Sequence, residues 1–132
     1  MTVNEAYKIA LSLDDTTTEQ DDSLRVHMVN YTNLFLNETF RNENAIRKMN
    51  HRPLLKAIPY VYSINDSIPY DEEMVRSGLP FFIASQIKLT DENNAWASRY
   101  YDMYLNAVNA VTPFIDEPNI DVWGRPDITG GR

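Results

Sequence analysis

The chain has 132 residues, about one domain's worth, and its 43 % hydrophobic and 23 % charged composition excludes global disorder. It contains no cysteine, which excludes disulfides, thiolate metal sites and thiol nucleophiles. The formal charge of −7 opposes a grip on nucleic-acid phosphates, and no apolar run approaches the roughly 20 residues of a membrane span.

The polar start Thr2-Val3-Asn4-Glu5 lacks the pattern of a signal peptide, so a soluble, untargeted protein is expected. Thr2 and Glu5 form a Thr-x-x-Glu capping box, which predicts a short helix carrying Ala6, Ile9, Ala10 and Leu13 and ending near Leu13. After the polar stretch from Asp14 to Thr18, a second box at Thr16 and Glu19, with Asp21 and Asp22 in the first turn, predicts a long helix. Its apolar face is Leu24, Met28, Tyr31 and Phe35, widened by Leu34, and it should reach Thr39 or Phe40. Asparagines at 37, 42, 44 and 50 then weaken the pattern. Ala45, Ile46 and Met49 still repeat helically, which leaves a bent continuation or a separate short helix.

Pro53 and Pro59 forbid a helix through this part, and the β-favouring run Ile58 to Ile64 reads as an extended segment or edge strand. With turn residues at Asn65-Asp66-Ser67, residues 52–70 are expected to project as a small β-hairpin or extended arm that wants a partner. Asp71 is an N-cap followed by Glu72 and Glu73, and Met74/Val75, Gly78/Leu79, Phe82/Ile83 and Ile87 recur every four residues as a buried face. Pro80 should kink this helix rather than end it. Thr90 or Asp91 is the expected cap of the last helix, whose core positions Trp96, Tyr100, Met103, Ala107 and Ala110 would complete an antiparallel helix pair. Pro113, Pro118, Gly124, Pro126, Gly130 and Gly131 punctuate the remainder, an extended tail. The fold class is therefore mainly α, a bundle of four to five helices in residues 1–111, with an arm at about 52–70 and a tail at 112–132.

Catalytic constellations are lacking. His27 and His51 have no ligand spacing around them, Asp14, Asp15, Asp21 and Asp22 lack the pattern of a calcium loop, and no nucleophile elbow or phosphate loop occurs. Adjacent carboxylates such as Glu72 and Glu73, or Asp91 and Glu92, point about 100° apart on a helix and cannot converge on one substrate. The expectation is a non-enzyme without metal or cofactor. Three glycosylation sequons, at Asn30, Asn37 and Asn65, are chance matches in an asparagine-rich chain. Candidate interaction residues are Tyr60 and Tyr62 on the arm, Tyr101 and Tyr104 on the last helix, and Ile120, Val122 and Trp123 in a tail too short to bury them against itself.

The segment Ile68-Pro69-Tyr70-Asp71-Glu72-Glu73, the run Gly78-Leu79-Pro80-Phe81-Phe82-Ile83-Ala84, and Asp91-Glu92-Asn93-Asn94-Ala95 opening a Tyr-rich helix resemble head-to-tail adaptor (connector) proteins of tailed bacteriophages. The likeness covers residues 58–111 and lies in order, spacing and size. It implies a virion structural protein made in the host cytoplasm and placed in the neck, in a closed, typically twelvefold ring between the portal protein and the tail or stopper proteins. DNA would pass through its lumen unbound, and an acidic lining would keep the duplex from sticking. The alternative reading is an acidic inhibitor that mimics DNA, or another small helical protein-interaction module; mimicry needs carboxylates in rows on one face, whereas here they gather at helix starts.

Overall fold

A computed structural model of the chain describes residues 1–14 and 21–113. Among these residues it is mainly helical: α1 (Val3–Asp14), α2 (Asp21–Arg25), α3 (Met28–Glu38), α4 (Phe40–Met49), α5 (Glu72–Thr90) and α6 (Asn94–Val111). Five are of ten residues or more, and α2 is a single turn. The second capping box at Thr16 and Glu19 and the tail from residue 114 onward lie outside the described residues.

The first capping box forms as its sequence demands. Thr2 N–H donates to Glu5 Oε1 at 2.8 Å and Glu5 N–H donates to Thr2 Oγ1 at 3.2 Å, satisfying two of the orphan donors at the start of α1. Val3, Ala6, Tyr7 and Ala10 then turn inward, while Leu13 stays exposed.

The long second helix of the sequence reading is interrupted once, between α2 and α3, and ends at Thr39 as expected. His27 N–H bonds back three residues to Leu24 O at 3.0 Å, so a tight turn separates α2 from α3 while keeping both Leu24 and Met28 in the core. At Thr39 α3 passes into α4. The buried Thr39 hydroxyl donates to Phe35 O at 2.7 Å beside the backbone N–H that reaches the same oxygen at 2.9 Å. A threonine bonded back one turn bends a helix, and Glu43 N–H still reaches Thr39 O, so α4 is a bent continuation of α3.

The central element is α5, which packs against α1, α3 and α6. Asp71 caps it through Oδ2, which accepts from Met74 N–H at 3.3 Å. The helix runs unbroken through Gly78 and Pro80, and no loop intervenes. Gly78 faces α6 so closely that a Cβ there would lie 2.7 Å from Val108 Cγ2. Phe35, Phe82 and Tyr104 meet beside this contact, with ring centroids 5.0 to 6.0 Å apart.

The joint between α5 and α6 is short. Glu92 takes a left-handed conformation (φ 59°), Asn93 N–H reaches back to Lys88 O at 2.9 Å, and the Asn93 side chain accepts from Trp96 N–H. The cap of α6 is therefore Asn93, not Thr90 or Asp91, because the left-handed residue ending α5 leaves the next position to start the new helix. The inward face of α6 is also rotated from the expected one. Ala97, Tyr100, Tyr104 and Val108 are buried, whereas Trp96 and Met103 are exposed and Tyr31 of α3 is half-buried.

Candidate interaction surface

Residues 52–70 hold no strand and form no hairpin. They run as a strap laid over the helices, with Val61, Ile68 and Tyr70 buried beneath it. The projecting arm of the sequence reading is thus corrected: the segment lies on the helices, and its backbone is bonded in part by side chains of α3 and α4 and in part by the chain's first residues.

Two asparagines carry that attachment. Asn33 donates from Nδ2 to Val61 O at 3.0 Å and accepts Val61 N–H on Oδ1 at 2.9 Å. Asn44 does the same for Leu55, at 3.1 and 2.8 Å. Each carboxamide presents one donor and one acceptor in a plane, the pattern of a neighbouring strand's peptide group. Their spacing of 11 residues is close to three helical turns, and both side chains meet the strap, one from α3 and one from α4.

A buried ion pair fastens both ends of the strap. Glu43 is fully buried, and its Oε2 accepts from Arg47 Nε at 2.6 Å. The Arg47 guanidinium also donates to Pro53 O at 3.2 Å and Pro69 O at 3.4 Å, bridging the beginning and end of the segment. Glu43 Oε1 accepts Asp71 N–H at 2.7 Å, which places a negative charge at the start of α5, where the helix dipole favours it. Tyr70 donates to Leu36 O at 2.6 Å, and burial, then the Glu43 charge, push its hydroxyl well above the ordinary tyrosine range.

The far end of the strap meets the chain's first residues. Thr2 and Ser67 form an antiparallel bridge, Ile68 N–H donates to Met1 O, and Asn4 N–H donates to Ile64 O. The N-terminal ammonium binds Glu72 Oε1 at 2.8 Å, and Arg76 holds the other oxygen, so these two hydrogen bonds keep the Glu72 carboxyl below its usual range.

The strap displays outward apolar and aromatic side chains together with the cations Arg52 and Lys56. Tyr62 is 85 % exposed, and Tyr60 and Leu54 are about half exposed. Both tyrosines are exposed, on a segment packed against the helices rather than on a projecting arm. The two tyrosines of α6 differ from each other. Tyr104 is buried and packs against Phe35 and Phe82, so it belongs to the core, because the inward face of α6 is rotated toward it. Tyr101 is half-buried, and its hydroxyl and that of Tyr104 both donate to Glu38 Oε1 at 3.0 Å, tying α6 to the end of α3. Burial and this carboxylate raise both hydroxyls above the ordinary range. Ile120, Val122 and Trp123 lie outside the described residues. The last described residues are anchored by Asn42, whose Nδ2 donates to Thr112 Oγ1 at 2.9 Å.

Asn33 and Asn44 escaped sequence reasoning because an asparagine in a helix reads only as a weak helix former. Their helical spacing opposite a proline-bounded extended run is the signal that could have found them. On the far side of α5, Ser85, Leu89, Ala97, Ser98, Tyr101 and Asp102 line an open groove of about 230 Å³. Among the described residues no group of three or more His, Asp or Glu could hold a metal ion, and no helix is long and apolar enough to cross a membrane. The chain matches no protein-family model, no curated protein and no solved structure.

Proposed function

We propose that the chain is a protein-binding structural subunit, an adaptor in the neck of a tailed-phage virion that forms a closed ring between portal and tail and lets DNA pass. The observation that carries this reading is the strap. Its main chain is held by Asn33, Asn44 and Arg47, while Leu54, Tyr60 and Tyr62 face outward, the arrangement of an apolar and aromatic contact surface presented on an ordered backbone. The likeness of residues 58–111 to connector proteins supplies the particular assembly. In this reading the chain catalyses nothing and takes no cofactor.

The DNA-mimic alternative is disfavoured by where the carboxylates are engaged. Glu5 and Asp71 cap helices, Glu43 is buried, Glu38 accepts from two tyrosines, Asp66 accepts Tyr62 and Ser63 N–H, and Glu72 binds two cations. These six of the 19 carboxylates are tied into the fold rather than set out in a row to imitate phosphates.

The test is the mass of the purified protein in solution, alone and with portal rings of a tailed phage that carries it. The expected result is an oligomer, or a complex that sediments with the portal. A strict monomer that leaves the portal rings unbound refutes the adaptor reading. Removing residues 114–132 should keep the helical circular-dichroism signal and prevent incorporation; normal incorporation would show the tail to be dispensable.

A further inference from the structure

The cations of this chain are unevenly placed. Between Glu38 and Asp66 lie five of its 12 Lys and Arg residues, Arg41, Arg47, Lys48, Arg52 and Lys56, against a single carboxylate, Glu43. That carboxylate is buried and paired with Arg47. The rest of the chain holds seven cations and 18 carboxylates.

The fold turns this sequence block into one end of the molecule. Arg47 reaches Pro69 O and Glu43 reaches Asp71 N–H, which sets the end of α4 beside the start of α5. Lys48, Arg52 and Lys56 are exposed there, with Met49 66 % and Leu54 51 % exposed among them; of the exposed carboxylates that open α5, Glu72 is held by the N-terminal ammonium and Arg76, and Glu73 is one charge against three cations. At the other end of α5, about 27 Å away for a helix of 19 residues, Asp91 and Glu92 are exposed, and Asp102 is exposed at the middle of α6. Asp102 stands on the rim of the α5–α6 groove, with the apolar Leu89 and Ala97 in its lining. Two cations stand at this end: Arg99 lies 4.9 Å over the Trp96 ring, and Lys88 has a partner.

We propose that the chain associates with a second copy of itself head to tail, the basic end with Lys48, Arg52 and Lys56 seating on the α5–α6 groove and Asp102 of the next molecule. Charge complementarity selects this occupant. A basic end that met its own like would set cation against cation, so a symmetric contact through either end is repelled, whereas the opposite pairing attracts. The apolar side chains fit the same pairing, because Met49 or Leu54 offers an aliphatic tip and the groove of about 230 Å³ offers a mostly apolar recess to receive it. A contact between two different faces is heterologous, and successive copies either close into a ring or continue as a filament. The proposal rests on the self-association in the adaptor reading and gives it two named faces.

The experiment uses charge exchange at exposed positions, with circular dichroism confirming that each variant is folded. Self-association of the full chain is measured by analytical ultracentrifugation for wild type, for Lys48→Glu with Arg52→Glu, for Asp102→Lys, and for an equimolar mixture of the two variants. Wild type should associate more weakly as salt rises, each variant alone should associate about tenfold or more weakly than wild type, and mixing should recover association, because each variant keeps one working face. Equal association of all samples, or a mixture no better than its parts, overturns the proposal. So does loss of duplex-DNA binding in the Lys48/Arg52 variant with its self-association unchanged, which would give the patch to nucleic acid. Portal rings separate the two readings. Wild-type binding to portal without the charge effects leaves the adaptor and removes these faces; recovery on mixing without portal binding does the reverse.

Discussion

The closest approach in the bundle gives its sharpest test. Replacing Gly78 by Ala sets a methyl group 2.7 Å from Val108 Cγ2, where ordinary carbon contacts begin near 3.4 Å. Alanine is the better helix former by about 1 kcal/mol, so at an open position the change would stabilise α5. Here Val108 is buried and its branched side chain has one favoured rotamer in a helix, so α6 must move or Val108 must turn, at a cost of about 1–3 kcal/mol. The net expectation is a loss of about 1 kcal/mol, or roughly 4 °C in melting temperature. Val108→Ala removes the opposing methyl, so its cost should shrink when Ala is already at 78. A double-mutant cycle by urea denaturation should therefore show favourable coupling of about 1 kcal/mol. A Gly78→Ala protein at least as stable as wild type, or strictly additive changes, would refute the reasoning that close helix approach requires this glycine.

Three further outcomes are expected. Asn33→Ala with Asn44→Ala removes four hydrogen bonds to the strap, and amide hydrogen exchange at Leu55 and Val61 should quicken about tenfold or more while α5 stays protected; unchanged exchange at both amides argues that the asparagines hold nothing. Glu92→Gly relieves a left-handed backbone and should raise stability by about 0.5–1 kcal/mol in thermal melts, and a lower melting point would contradict the cap assignment. Tyr70, Tyr101 and Tyr104 have folded pKa values raised above the unfolded value of about 10, so their contribution is fully present below that pH and is lost as pH climbs through the folded values. Denaturation midpoints should hold from about pH 8 to near pH 10 and fall above it, less steeply in Tyr104→Phe; an equal slope in that variant removes Tyr104 from the account.

Local chemistry was the legible part of the sequence. The Thr2/Glu5 box and the Asp71 cap involve partners three residues apart, and both form as read. The inward face of α5 is equally plain, since Met74, Val75, Leu79, Phe82, Ile83 and Ile87 are buried and no other apolar stripe competes on that helix. On α6 two stripes compete. Trp96 and Met103 are as apolar as Tyr104 and Val108, and Gly78 on the facing helix decides between them by admitting α6 along the Tyr104–Val108 side. The strap was misread for a related reason. Proline and β-branched residues announce extended backbone, but whether its hydrogen bonds go to another strand or to asparagines many residues away is not a local property. The basic end was readable from residue counts between Glu38 and Asp66; a whole-chain charge of −7 concealed it.

The grip of Asn33 and Asn44 on the strap has a consequence for how this surface can change. Both carboxamides bind only peptide N–H and C=O groups, which every residue but proline possesses. Attachment is therefore blind to side-chain identity at Leu55 and Val61 insofar as hydrogen bonding goes, and wholly blind to what stands at Tyr60 and Tyr62 between and beyond the two anchor points. The display can be rewritten residue by residue, for a new partner or by a designer, while the rail that carries it stays in register.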